Sequence, residues 1–256
     1  MKNLYKKIMI IWLIVVLTVM TIPIIVFGAT SDGYEYIIIG DTAKITGYTG
    51  SSKDISIPST LGGKSVTDIG YMAFYNKGIT RVVLPDCLTN IGEYAFCINK
   101  LTEITIPDSV ANIDQFAFAS NEFTSVTIPN CSLGKGIFQD NNIKDVTIPD
   151  WLTIIPEQMF YANNISKLII PDSVTSIGVQ AFDSNSLTSI TIPNSVKEIG
   201  NKAFQRNPGL TNAAIQSGGT NVIIGERAFY QSPLESITIP DSVTSIGKWA
   251  FQYNRI

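Results

Sequence analysis

The sequence predicts a β-rich repeat solenoid of about nine units, and three periodic columns carry the prediction. Phenylalanine closes each unit, at Phe74, Phe96, Phe118, Phe138, Phe160, Phe182, Phe204, Phe229 and Phe251, with spacings of 22, 22, 20, 22, 22, 22, 25 and 22 residues. Proline recurs at 58, 85, 107, 129, 149, 171, 193 and 240. An alternating run of Ile with Thr or Ser precedes most of these prolines. A fixed period in this range marks stacked coils, because one such unit cannot bury its apolar face alone.

In chain order, residues 1–29 read as an N-terminal signal peptide or anchor. Lys2, Lys6 and Lys7 lead into an uncharged run from Ile8 to Phe27, and small Gly28 and Ala29 follow. The run has the layout of a cleavable export signal and is long enough to cross a bilayer as a retained anchor. Either way the repeats are exported, since the positive end stays inside. Residues 30–57 read as an N-terminal β cap, with strands at Tyr34–Ile39 and Lys44–Thr46 around a Gly-Asp turn. Residues 58–256 are the repeats, the last one truncated.

Each unit opens with a strand, as in Leu101 to Pro107 (LTEITIP). Alternating β-branched residues make a half-buried strand, and the proline, which has no N–H to donate, ends it. An Ile-Gly pair and then Ala-Phe follow, as in Ile177, Gly178, Ala181 and Phe182. The expectation is a short extended piece ending at the Ile. Glycine then permits a tight or positive-φ turn, and a helical or 3-10 turn drops Ala and Phe into the core. Asp114 and Pro156 interrupt the glycine column.

Asparagine stands three residues after most of the phenylalanines, at Asn99, Asn121, Asn141, Asn163, Asn185, Asn207 and Asn254. An amide there can bond backbone groups of adjacent coils. Asp86, Asp108, Asp150, Asp172 and Asp241 directly follow the repeat proline, with Asn130 and Asn194 in the same column. They read as caps of their own turn, and the sharper alternative is a stacked carboxylate row for calcium. Leu61–Ser65 reads as a loop, and the eighth unit carries loop signals at 207–209 and 217–220. The chain stops at Ile256, the first strand residue of a tenth unit. An exposed coil end of this kind is expected in a fragment of a longer protein, or under a partner or second copy.

These columns together, Leu-x-x-Ile-x-Ile-Pro through Ile-Gly and Ala-Phe to Asn, resemble the BspA-like, Treponema-type leucine-rich repeat over about residues 55–256. The resemblance implies a right-handed solenoid of parallel strands. It also implies a secreted or surface-displayed protein engaged in adhesion to host proteins or other cells, with no shared catalytic residues.

The chemistry is sparse. Histidine is absent, which removes the usual general base and most zinc sites. No phosphate-binding glycine loop occurs. With the three N-terminal lysines set aside, 15 basic residues face 21 acidic ones, so nucleic acid is not a partner. Cys87, Cys97 and Cys131 do not form a disulfide framework. No cofactor, metal or catalytic residue is called, and the membrane is engaged only through the N-terminal segment if it is uncleaved.

Two surfaces remain as candidates for an extracellular or host protein, or another cell surface. One is a polar strand face: Glu103, Thr105, Ser125, Thr127, Asp145, Thr147, Lys167, Ile169, Ser189, Thr191, Ser236 and Thr238. The other is an aromatic edge: Tyr75, Tyr94, Trp151, Tyr161, Tyr230, Trp249 and Tyr253. Adhesion or protein recognition leads. A carbohydrate-binding or accessory module of a larger secreted enzyme, and a structural spacer, are the alternatives.

Overall fold

The computed structural model describes residues 25–256. The reading of residues 1–29 as an export segment lies almost wholly outside that range. Among the described residues no helix is long and apolar enough to cross a membrane. The molecule is a β-solenoid of parallel-stacked coils.

The cap is a meander of β1 (Ile25–Ser31), β2 (Tyr34–Ile39) and β3 (Thr42–Tyr48), paired antiparallel. The boundary drawn at residue 29 therefore falls inside β1. Tyr34 and Tyr48 cover the first coil, their rings 6.3 and 5.5 Å from that of Phe74. After β4 (Asp54–Ser56), the segment expected to be a loop is a hairpin. Its strands are β5 (Thr60–Leu61) and β6 (Lys64–Ile69), joined by Gly62 and Gly63 at φ 59° and 72°. Two consecutive left-handed residues are what a tight hairpin turn needs, and glycine meets that need without strain.

From β3 the sheet turns parallel and propagates through the Ile column. Ile45, Ile69, Ile91, Ile113 and Leu133 stand in register, as do Ile155, Ile177, Ile199, Ile224 and Ile246. The sheet breaks once, between Leu133 and Ile155, and the cause is legible. In the other coils the residue after the Ile donates its N–H to the Ile of the coil before, as Gly178 does to Ile155 (2.9 Å) and Asp114 to Ile91 (2.8 Å). Pro156 holds this position and has no N–H to give.

The turns are not helical, and their glycines are not where φ is positive. Left-handed backbone falls two residues before and two after each phenylalanine, on non-glycine residues in every coil but one. Gln180 and Ser184 flank Phe182 at φ 57° and 59°. This alternation sends N–H groups by turns within the coil and to the next one: Ala181 donates to Gly178 (3.2 Å), and Phe182 to Ala203 of the following coil (2.9 Å). A helical turn would keep all its bonds inside one coil. The Gly column serves close approach instead: a Cβ on Gly200 would lie 2.7 Å from the carbonyl oxygen of Ile177.

The core is a stack of phenylalanines. Neighbouring rings from Phe74 to Phe251 lie 4.9–6.2 Å apart and within 15° of parallel. Each fully buried ring contributes roughly 1.5–3 kcal/mol by removal from water, and offset stacking adds about 0.5–1.5 kcal/mol.

Beside the rings runs the asparagine ladder. The Oδ1 of Asn121 accepts from the N–H of Leu101 (3.1 Å), and its Nδ2 donates to the carbonyls of Phe96 (3.0 Å) and Phe118 (3.1 Å). Each amide thus ties its own coil to the one before, satisfying buried groups that no strand ladder reaches. Ser232, which replaces Asn in one coil, keeps part of the pattern by donating to the Phe204 carbonyl (2.9 Å).

Candidate functional site

All twelve residues of the polar strand face lie on the surface, Ile169 as much as 70% exposed. Their strands alternate outward polar and inward apolar side chains, so Ile190 and Ile192 are buried while Ser189 and Thr191 face out. The face is not the continuous flat sheet that the Thr column suggests. Strand pairing joins Asp54–Ser56 to Arg81–Val83, Ser125–Val126 to Asp145–Val146, and Ser189–Ile192 through Asn212–Ile215 to Ser236–Thr238. Segments 103–106 and 167–170 pair with neither neighbour, and none of their N–H groups finds a main-chain acceptor.

Four grooves lie on this face, one at each open joint. Residues 81–86 and 103–107 line the first, of about 340 Å³. The second, of about 590 Å³, lies between 104–110 and 127–130 and is edged by Trp151. The third, of about 600 Å³, lies between Asp145–Asp150 and Lys167–Pro171. The fourth, of about 390 Å³, lies between Lys167–Asp172 and Ser189–Pro193. Strand spacing explains the coincidence: paired backbones close to about 4.8 Å, and an unpaired joint leaves a cleft.

The acidic column rims the same grooves. Asp86, Asp108, Asp150 and Asp172 are exposed, and their carboxylates make no hydrogen bond or ion pair among the described residues. They do not cap their turns. The backbone closes those turns by itself, Val110 N–H donating to Pro107 (3.0 Å) and Val174 to Pro171 (3.1 Å). No group of three or more His, Cys, Asp or Glu side chains among the described residues is placed to hold a metal ion.

The aromatic edge does not form one surface. Trp151 belongs to the polar face, as a wall of the second groove. Tyr94 stacks on Phe116 (5.1 Å) and meets Tyr71 edge-on (6.3 Å). Burial, with Glu93 adding to it, raises the Tyr94 phenol above its ordinary range. Tyr75 is half-buried in the neighbouring coil. Tyr161 accepts from the guanidinium of Arg206 (3.4 Å), which is itself held by fully buried Asp183 (3.0 Å). Tyr230 and Tyr253 meet edge-on (5.2 Å), and the cations of Arg227 (4.4 Å) and Lys248 (3.9 Å) both lie over the ring of Trp249. Tyr71, 60% exposed, extends the first of these patches and was missed because it stands outside the periodic columns. The last coil also presents Ile246 and Ile256 to solvent.

Cys97 and Cys131 are not activated. Burial pushes Cys131 up to about 11 and raises Cys97 as well, so both are protonated at neutral pH.

Stacked coils with a parallel sheet, a phenylalanine core and an asparagine ladder define a leucine-rich-repeat solenoid. The model of the BspA type leucine rich repeat region matches residues 48–138 and 131–256, and the chain belongs to that family. Its fold is similar to that of a leucine-rich cell surface protein from Faecalibacterium prausnitzii, at 28% identity and a TM-score of 0.63 over 88% of this chain and 74% of that one. It is also similar to the pneumococcal vaccine antigen PcpA, at 17% identity and a TM-score of 0.55 over 86% and 77% of the two chains. A leucine-rich repeat protein of T. pallidum aligns at 22% identity and a TM-score of 0.48, over 86% of this chain and 85% of that one. No curated protein sequence matches it.

Proposed function

We propose that the chain is an exported, non-enzymatic scaffold that recognises proteins at the cell surface, in adhesion or a related contact, through its grooved polar face. The observation that carries this reading is the coincidence of four clefts, an exposed polar strand row and Trp151 on one side of the solenoid. A long face with outward side chains free of core duties suits extended contact with a partner. The Faecalibacterium relative, described as a cell surface protein, supports the location.

The test is binding of the full chain to immobilised extracellular-matrix and cell-surface proteins. A variant carrying Thr127→Arg and Thr147→Arg places two bulky side chains on the face without touching the core. Loss of capture in that variant is expected, and capture that survives it at full strength refutes the assignment of the face. Carbohydrate binding is the second reading, favoured by Trp151 beside Asp108 and Asn130 in one groove. A glycan array on the full chain and on Trp151→Leu separates it from protein recognition.

A further inference from the structure

We infer that the grooved face takes a basic, extended polypeptide segment whose Lys or Arg side chains enter the open joints between coils. The inference rests on the protein-binding reading of this face and adds the chemistry of the partner. Two kinds of acceptor converge there. Main-chain carbonyls in segments 103–106 and 167–170 have no strand-ladder donor. The carboxylates of Asp86, Asp108, Asp150 and Asp172 stand at the rims, free of any partner among the described residues.

Some acidic residues elsewhere in the chain are neutralised by a neighbour. Asp41, Asp54, Glu157, Asp183, Glu226 and Glu235 each have a Lys or Arg within 4.0 Å. On the grooved face the cations are Lys167 and Arg81, and Arg81 is already held by Asp54 at 3.3 Å. The balance on the face is negative, with Asp86, Glu103, Asp108, Asp145, Asp150 and Asp172 in the groove linings against Lys167 and the paired Arg81. A side chain that only donates satisfies both acceptor types at once, whereas an anion is repelled. Trp151, with Pro107 and Pro129 in the same groove, offers an apolar ledge for the aliphatic stem of a Lys or Arg.

A polypeptide fits better than a small cation, because the open joints also leave unpaired N–H groups, which a partner's carbonyls can accept from and a cation cannot. Geometry sets the spacing. The two unpaired segments lie three coils apart, about 14 Å at strand spacing, which an extended chain covers in about four residues. Cations at every fourth position then point to the same side, since side chains of an extended chain alternate with period two.

The experiment uses fluorescence anisotropy of three labelled Thr/Val-based peptides with the full chain. One carries Lys at every fourth position, one Glu at the same positions, and one the same lysines clustered at one end. Each is measured on the native chain, on an Asp108→Asn/Asp150→Asn variant, and on an Asp32→Asn/Glu122→Gln variant that changes net charge equally away from the grooves. The spaced-Lys peptide is expected to bind best, to weaken roughly tenfold in the groove variant alone, and to be released by salt. Equal binding of the Lys and Glu peptides overturns the inference. So does a clustered peptide that binds as tightly as the spaced one, or equal weakening by the distal pair. If no peptide binds while a surface protein is still lost on Thr127→Arg/Thr147→Arg, the partner chemistry is wrong and the protein-binding reading stands.

Discussion

Replacing Asn207 by Ala removes an amide that ties its own coil to the one before. Asn207 is fully buried. Its Oδ1 accepts from Leu187 N–H at 3.2 Å, and its Nδ2 donates to the carbonyls of Phe182 and Phe204, both at 3.0 Å. The Phe204 carbonyl keeps a second donor in the Ser232 hydroxyl at 2.9 Å, so it is not orphaned. Leu187 N–H and the Phe182 carbonyl have no other hydrogen-bond partner among the described residues. Two buried groups left unpaired cost about 1–3 kcal/mol each, giving an expected loss of about 2–6 kcal/mol. That is a large fraction of the roughly 5–15 kcal/mol of a typical domain. Urea unfolding followed by circular dichroism reads the shift in midpoint, with Asn164→Ala as the exposed control. Asn207→Ser should lose less than Asn207→Ala, because a hydroxyl already serves this column at Ser232. A loss below about 1 kcal/mol, no larger than that of Asn164→Ala, would falsify the view that the ladder is structural.

Phe204→Ala removes a buried ring stacked between Phe182 and Phe229, at 5.6 and 5.3 Å, and should cost about 3–5 kcal/mol; Thr191→Ala should stay within about 0.5 kcal/mol in the same assay. A larger loss for Thr191 means the faces are inverted. Lys202 sits at φ 60°, where a Cβ is disfavoured, so Lys202→Gly should stabilise by about 0.5–1 kcal/mol, read as a rise in Tm. A fall in Tm refutes the strain argument at that column. The Cys131 thiol, raised by burial from 9.0 to about 11, favours the folded state while protonated. Its contribution is fully present below pH 9 and is lost as pH climbs towards 11, so Cys131→Ser should flatten stability against pH in that window. Identical profiles with and without the thiol contradict this.

Much of the architecture was legible because the repeat writes each column many times over. A proline closes the first strand segment of most coils, and the Phe and Asn columns recur because each coil must meet the same coil above and below. Even the single break in the Ile sheet follows from Pro156, once the hydrogen bond of that position is known. The turns were misjudged because left-handed backbone falls on ordinary residues such as Gln180 and Ser184, for which φ carries no sequence signal. The Asp column was misjudged because a free carboxylate and a capping one read alike.

By itself the sequence determined the period, the class of fold, the buried column of rings and the amide ladder, since these follow from local patterns and from stacking like on like. Only the tertiary structure decided where the polar face opens. Segments 103–106 and 167–170 carry the same alternation as their paired neighbours, and pairing depends on how whole coils sit against each other. That fit gathered the open joints, the free carboxylates and Trp151 on one side. The chemistry of the candidate site therefore belongs to the packing of coils and to no single one of them.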